Sequence, residues 1–256
     1  LYGRHAARAA ENFPLAGRPV RAALIHAYGS VKLACAQCNH ALGYLDGERF
    51  AAIREACEEL EAGALDDHII VDALQGGAGT STNMNANEVM ANVALELTGH
   101  PLGAYDVIEP HDHLNMSQST NDSYPTALKV AILAGNDRIA AEARDLVAAL
   151  RDKGDAFLEI VKMGRTELQD AVPMTVGQEF HAFAAALETE IEFLRAAEES
   201  LLTINMGATA IGSGINTPEG YADGCRATLP ESPSSRPGTF LPRPGTSTRL
   251  SLNPAH

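Results

Sequence analysis

Apolar positions along this chain recur at helical rather than strand spacing. From about Ala22 to Leu42, the residues Leu24, Ala27, Tyr28, Val31, Ala34, Cys35 and Cys38 fall on one face, which predicts an amphipathic helix ended by Gly43. Asp46 can cap a second helix through Phe50, Ile53, Cys57 and Leu60, which Gly63 stops. Asp66 to Leu74 is short and apolar and reads as helix or strand. Asn85 to Leu97 predicts a third helix, with Val89, Val93 and Leu97 one turn apart and Gly99 at its end. Thr126 to Leu150 predicts a long helix bent near Gly135 and Asn136. Gln178 to Asn205 contains no Gly or Pro and, at 1.5 Å per residue, would be roughly 42 Å long. An apolar stripe of that length needs partner helices, so a bundle is expected. Residues 1–20 show no sustained period and read as an arm with at most one short helical turn. The expected fold class is mainly α: an N-terminal helical domain over 1–120, a partial bundle of long helices over 121–225, and a tail over 226–256.

Three stretches break this pattern. Gly76 to Asn87 (GGAGTSTNMNAN), His111 to Lys129 (HDHLNMSQSTNDSYPTALK) and Gly164 to Pro173 (GRTELQDAVP) are rich in short neutral donors and poor in charge. That choice suits a pocket that grips an anion. Ser119, Thr120 and Asn121 stand just ahead of an apolar helical run, where helix N-terminal N–H groups also favour negative charge. Pro125 fits the first turn of that helix. The same three residues could simply cap it, the commoner role for such side chains. Gly76, Gly77 and Gly79 do not make a phosphate loop, because no Lys follows and the Walker spacing is absent.

Composition narrows the classes. A chain of 256 residues can bury a core as one large domain or two smaller ones. The net charge of -14 argues against nucleic acid as a partner, since phosphate binding needs a basic face. No apolar run is long enough to span a bilayer, so no membrane is expected. Cys35, Cys38, Cys57 and Cys225 are too few and too scattered for a disulfide scaffold. Cys35 and Cys38 have redox or zinc spacing but lie within a helical pattern, and they read as small apolar residues in a reducing cytoplasm. His111 and His113 lack a third ligand, so no metal is assigned. Residues 226–256 hold 6 of the 13 prolines and a single acid, with no hydrophobic period; a disordered or frame-shifted tail is expected there.

Taken together, GGAGTSTNMNANEV, HLNMSQSTNDSYPTAL, GRTELQDAVPMTVGQEF and GATAIGSGINTP resemble blocks of the fumarase/aspartase superfamily, in that family's order and approximate spacing, over residues 1–224. Ala78, Ser81, Thr82, Thr120, Glu167 and Pro218 favour its aspartase branch over class II fumarase, the alternative. The resemblance implies reversible elimination of ammonia from L-aspartate to give fumarate through an aci-carboxylate. It places Thr80, Ser119, Thr120, Asn121, Thr166 and Glu167 around a small dicarboxylate, with no cofactor and with a homotetramer when the protein is full length. It also implies a general-base serine on a loop of the form G-S-S-x-M-P. That motif does not occur in this sequence, so no catalytic residue is assigned and the chain is expected to be a truncated, inactive portion. A non-catalytic helical protein that still binds carboxylates is the reading from a different class.

Overall fold

The computed structural model describes residues 1–75 and 77–229 and the backbone of 243–244. Gly76 and most of the stretch read above as a tail, residues 230–242 and 245–256, lie outside the described residues. The elements in order are α1 (Arg4–Asn12), α2 (Ala22–Ala41), α3 (Gly47–Glu61), a single 3-10 turn (Asp66–His68), α4 (Thr80–Leu97), α5 (Thr120–Ala156), β1 (Val161–Thr166), β2 (Gln169–Thr175), α6 (Val176–Glu198), β3 (Thr203–Ile204), α7 (Tyr221–Thr228) and β4 (Arg243–Pro244). The mainly α class is therefore as expected. Among the described residues no helix is long and apolar enough to cross a membrane.

The chain forms two units. The first gathers Leu1–Ile132 with the segment from Leu201 onward. Here α2 packs on α3 and α7, α3 packs on α4, and α1 lies on α4. Tyr28, Val31, Ile53, Cys57, Leu60, Val89, Met90 and Leu95 fill the core between them. The α2–α3 approach depends on Gly29: a Cβ there would meet the backbone of Cys57 and Glu61. Gly29→Ala should destabilise the unit by about 1–3 kcal/mol through overpacking, read as a lower urea midpoint at unchanged m-value. Asp46 caps α3 as the sequence predicts, accepting from the N–H of Arg49 at 2.9 Å.

The N-terminal arm is more ordered than its sequence suggests. α1 spans nine residues, because buried Glu88 of α4 accepts from the N–H groups of Gly3, His5 and Ala6 at 3.0, 2.8 and 3.0 Å. A carboxylate from a distant helix thus satisfies the unpaired donors of the first turn. Asp72 fastens the arm's end, taking the N–H groups of Ala16 and Gly17, both at 2.8 Å, beside a bridge between Pro19 and Asp72. The segment Asp66 to Leu74, left open between helix and strand, is a 3-10 turn followed by that bridge.

The second unit comprises Leu133–Ser200. The latter part of α5 and α6 run antiparallel within it: Arg151 pairs with Glu188 at 2.6 Å, while Asp137, earlier in α5, meets Arg195, later in α6, at 2.7 Å. Phe157 and Phe180 pack edge to face at 5.7 Å. A Thr175–Gln178 capping box starts α6, which ends at Glu198 rather than Asn205. Residues 164–173, expected as a polar loop, belong to an antiparallel β1–β2 hairpin with a bulge between Gly164 and Arg165. Its turn is Glu167 and Leu168, both left-handed at φ 48° and 66°, the backbone of a tight hairpin turn. Large apolar side chains remain exposed on this unit, including Ile139 at 61% and Phe193 at 63%.

Candidate substrate site

Two helix starts carry the expected donors, and both helices begin earlier than their apolar periods suggest. α4 opens at Thr80 after three left-handed residues, Gly77, Ala78 and Gly79. Gly79 at φ 91° also lies against the Tyr124 ring, which leaves no room for a Cβ. Gln75 holds this start, donating to Thr82 Oγ1 and accepting from the Thr82 N–H, both at 3.0 Å. Thr80 Oγ1 donates to Gly77 O at 2.8 Å.

α5 opens at Thr120, with Ser119 as its cap. Ser119 Oγ accepts from the Asn121 N–H at 3.2 Å, and Asp122 Oδ1 accepts from the Ser119 N–H at 2.9 Å. The capping role weighed from sequence is real, yet it uses Ser119 Oγ as an acceptor and leaves its proton to donate. Thr120 Oγ1 likewise accepts from Asn83 Nδ2 at 2.9 Å, which frees its own proton. Pro125, expected in the first turn, lies one turn further inside α5, because the helix starts earlier, at Thr120. Without an N–H it leaves the Asn121 carbonyl open, and Asn205 Nδ2 fills that position at 2.8 Å.

The loop after β3 is tied to this helix start at further points. Asn121 Nδ2 donates to Ala210 O at 2.7 Å, and Asp122 Oδ2 accepts from the Thr209 N–H at 2.9 Å. Asp122 is fully buried; burial pushes its carboxyl up, opposed by the N–H donors of Ser119 and Thr209. Thr209 itself sits in a left-handed conformation at φ 57°.

These ties border an open cleft of about 530 Å³ lined by Thr80, Asn83, Ser119, Thr120, Thr209 and Asn216 among others. Thr120 also borders a second cavity of about 470 Å³, shared with Gln75, Gly79 and Asn121. Four of the six expected site residues, Thr80, Ser119, Thr120 and Asn121, therefore come together in the first unit. Thr166 and Glu167 stand at the hairpin turn of the second unit, both exposed. Sequence reasoning missed Asn83, Asn115 and Thr209, all of which line the larger cavity. Their signal was the same density of short polar residues within the blocks already singled out. It also missed Lys32, whose signal was a lone charge between Val31 and Leu33 on a buried helix face.

Among the described residues Glu109, His111 and Asp112 are the group whose ligand atoms lie within 4.8 Å of one another. One oxygen of Glu109 accepts from the N–H groups of His111 and Asp112, so the cluster is in part a turn stitched to its own backbone. His113 points elsewhere, accepting from the Glu109 N–H at 2.9 Å, and burial followed by Arg49 lowers its imidazolium.

Comparison with known proteins agrees with this architecture. Residues 1–236 match a family model described as Lyase. The aspartate ammonia-lyase of Pseudomonas aeruginosa is 50% identical over 223 residues, which is 86% of this chain and 47% of that protein. The chain thus spans about half the length of the curated relatives it matches. The structure of a fumarate lyase:delta crystallin from Brucella melitensis bound to cobalt superposes with a TM-score of 0.86 at 45% identity, covering 89% of this chain and 50% of that one. A class II fumarase from Schistosoma mansoni gives 0.82 at 31% identity, covering 89% and 48%. The sequence blocks, the helical fold and the family match converge: this chain belongs to the lyase family that includes the fumarase/aspartase superfamily.

Proposed function

We propose that the chain carries the dicarboxylate-binding wall of an aspartate ammonia-lyase, which interconverts L-aspartate with fumarate and ammonia. The observation that carries this reading is the donor arrangement at the cavity. Ser119 and Thr120 already accept hydrogen bonds through their oxygens, so their protons are left for an anion. Removing the proton beside a carboxylate puts extra negative charge on that carboxylate's oxygens. Fixed neutral donors aimed there stabilise the aci-carboxylate more than the substrate, which is how such a site accelerates the reaction. Identity of 50% with an aspartate ammonia-lyase supports aspartate over malate as the substrate.

In this reading Ser119, Thr120 and Asn121 hold the carboxylates, and Thr80 joins them by exchanging its bond to Gly77 O for the substrate. Thr166 and Glu167, on the hairpin of the second unit, are the further substrate contacts that the family resemblance implies, Glu167 toward the ammonium end or a side chain behind it. The serine base belongs to a loop that this sequence does not contain. The protein works as a cytoplasmic homotetramer, and the exposed apolar side chains of α5 and α6 are its helix-bundle surface.

Calorimetric titration of the chain with fumarate, L-aspartate and malate tests the reading. Fumarate and aspartate should bind, and Thr120→Val should weaken fumarate binding about tenfold by removing one charge-assisted donor. The 256-residue polypeptide should release fumarate from aspartate no faster than the background rate, followed by ultraviolet absorbance. Absence of dicarboxylate binding overturns the proposal, and tighter binding of malate than of aspartate turns it toward fumarase.

A further inference from the structure

Lys32 lies on α2 and is 1% exposed. Its Nζ donates to Gln118 Oε1 at 2.8 Å, Asn115 Oδ1 at 3.1 Å and Leu114 O at 3.5 Å, all neutral oxygens. The Tyr28 ring centroid is 5.9 Å away. A buried ammonium hydrogen-bonded to neutral oxygens is costly, and apolar residues would fill the same space without that cost. Its acceptors point to what the charge does. Asn115 and Gln118 both line the 530 Å³ cavity. Asn115 Oδ1 also accepts from Asn83 Nδ2 at 3.0 Å and Asn87 Nδ2 at 3.3 Å. The second proton of Asn83 Nδ2 goes to Thr120 Oγ1. A continuous chain therefore runs from Lys32 through Asn115 and Asn83 to the Thr120 hydroxyl.

We propose that Lys32 is a positioning residue for the dicarboxylate: from behind the cavity wall it holds Asn115 and Gln118, fixes through Asn83 the donor orientation of Thr120, and supplies the positive charge that a bound dianion balances. This rests on the dicarboxylate reading of the site. Neutral acceptors alone would not select an anion; a fixed charge just behind them does, with little solvent to screen it.

The charged and titratable groups facing Lys32 are Tyr28 and Cys35 on its own helix, Cys57 of α3 and Asp122 of α5, while α4 presents the neutral Asn83 and Asn87. Burial raises the Tyr28 phenol and the Cys57 thiol, which keeps both neutral. Burial lowers the Lys32 ammonium to about 8, opposed by Cys35 and Asp122. The charge that attracts the ligand is therefore lost in an accessible range of pH.

The test is calorimetric titration of the chain with fumarate, a fixed dianion, from pH 6.5 to 9.5. For the wild-type chain the Kd should be flat to about pH 7.5 and then rise about tenfold by pH 9.5. Lys32→Met should bind about tenfold more weakly at pH 7 with a flat profile. Lys32→Arg keeps its charge, so its affinity should not fall at alkaline pH. A folded Lys32→Met chain with wild-type affinity and the wild-type profile overturns the proposal. If that variant does not fold, the Arg variant decides, and an alkaline loss that persists there overturns it as well. If the wild-type chain binds no dicarboxylate, the functional reading fails and this inference with it. If it binds and the variants behave as wild type, only the role of Lys32 fails.

Discussion

Glu88→Ala should lower the unfolding free energy by about 3–5 kcal/mol, one of the two largest effects expected in this chain. The carboxylate is buried, and all three of its partners are main-chain N–H groups at the start of α1. A hydrogen bond to a charged group contributes about 1.5–3 kcal/mol, and removing one partner leaves the others to find water or remain unpaired. Ala6 is fully buried, so its N–H cannot recover solvent without lifting the arm. Urea denaturation gives the loss in stability. Amide exchange should also show residues 3–7 opening in the variant while α2 and α3 stay protected. Glu88→Gln retains one acceptor oxygen and should cost about half as much. Equal stability of Glu88→Ala and wild type would show that the arm contributes nothing.

The second large effect concerns Lys32 and depends on pH. Its folded-state value of about 8 lies below the unfolded value of 10.5. Below about pH 8 both states carry the proton and the folded state bears the full cost of the buried charge. Between those two values the unfolded chain holds a proton that the folded chain has released, so stability rises with pH. Relative to Lys32→Met, wild type should gain on the order of 3 kcal/mol from pH 7 to pH 11, since each pH unit of displacement corresponds to about 1.4 kcal/mol. Taking the difference between the two proteins cancels groups that titrate alike in both. Asp122 acts in the acid range: its raised carboxyl favours the fold most at low pH, and that contribution is lost as pH rises through its folded value. A flat difference curve across the alkaline range would show that Lys32 titrates normally.

Much of this architecture could be read from the sequence where local physics decides it. α2 and α3 follow from apolar period and from the Asp46 cap, and the mainly α class follows from the lengths of the periodic segments. The polar blocks pointed to the cavity because short donors are a poor choice for anything but an enclosed polar surface. The departures have a common cause. α1 looked like an irregular arm because the group that stabilises its first turn is Glu88, more than eighty residues away. The hairpin was hidden because its turn uses Glu167 and Leu168 in left-handed conformations where Asn-Gly would have announced it. α4 and α5 each start about a turn or more before their apolar period, since their first residues line a cavity and not the core. Lys32 shows the limit most clearly: a charge within an apolar stripe marks something unusual, but its acceptors come from a loop that only the fold brings near.

Pro125 is a case of recognition by omission. A regular helix uses up its own carbonyls and offers a passing segment nothing to hold. By lacking one donor, Pro125 makes a single carbonyl available, and the loop carrying Asn205 is registered against that vacancy. The next carbonyl, that of Asp122, is already taken by the Thr126 hydroxyl at 2.7 Å. Segments more than eighty residues apart are thus aligned by a bond the helix does not make. Grafting this helix start into another scaffold would require carrying both halves of the pair, the residue that leaves the gap and the residue that closes it.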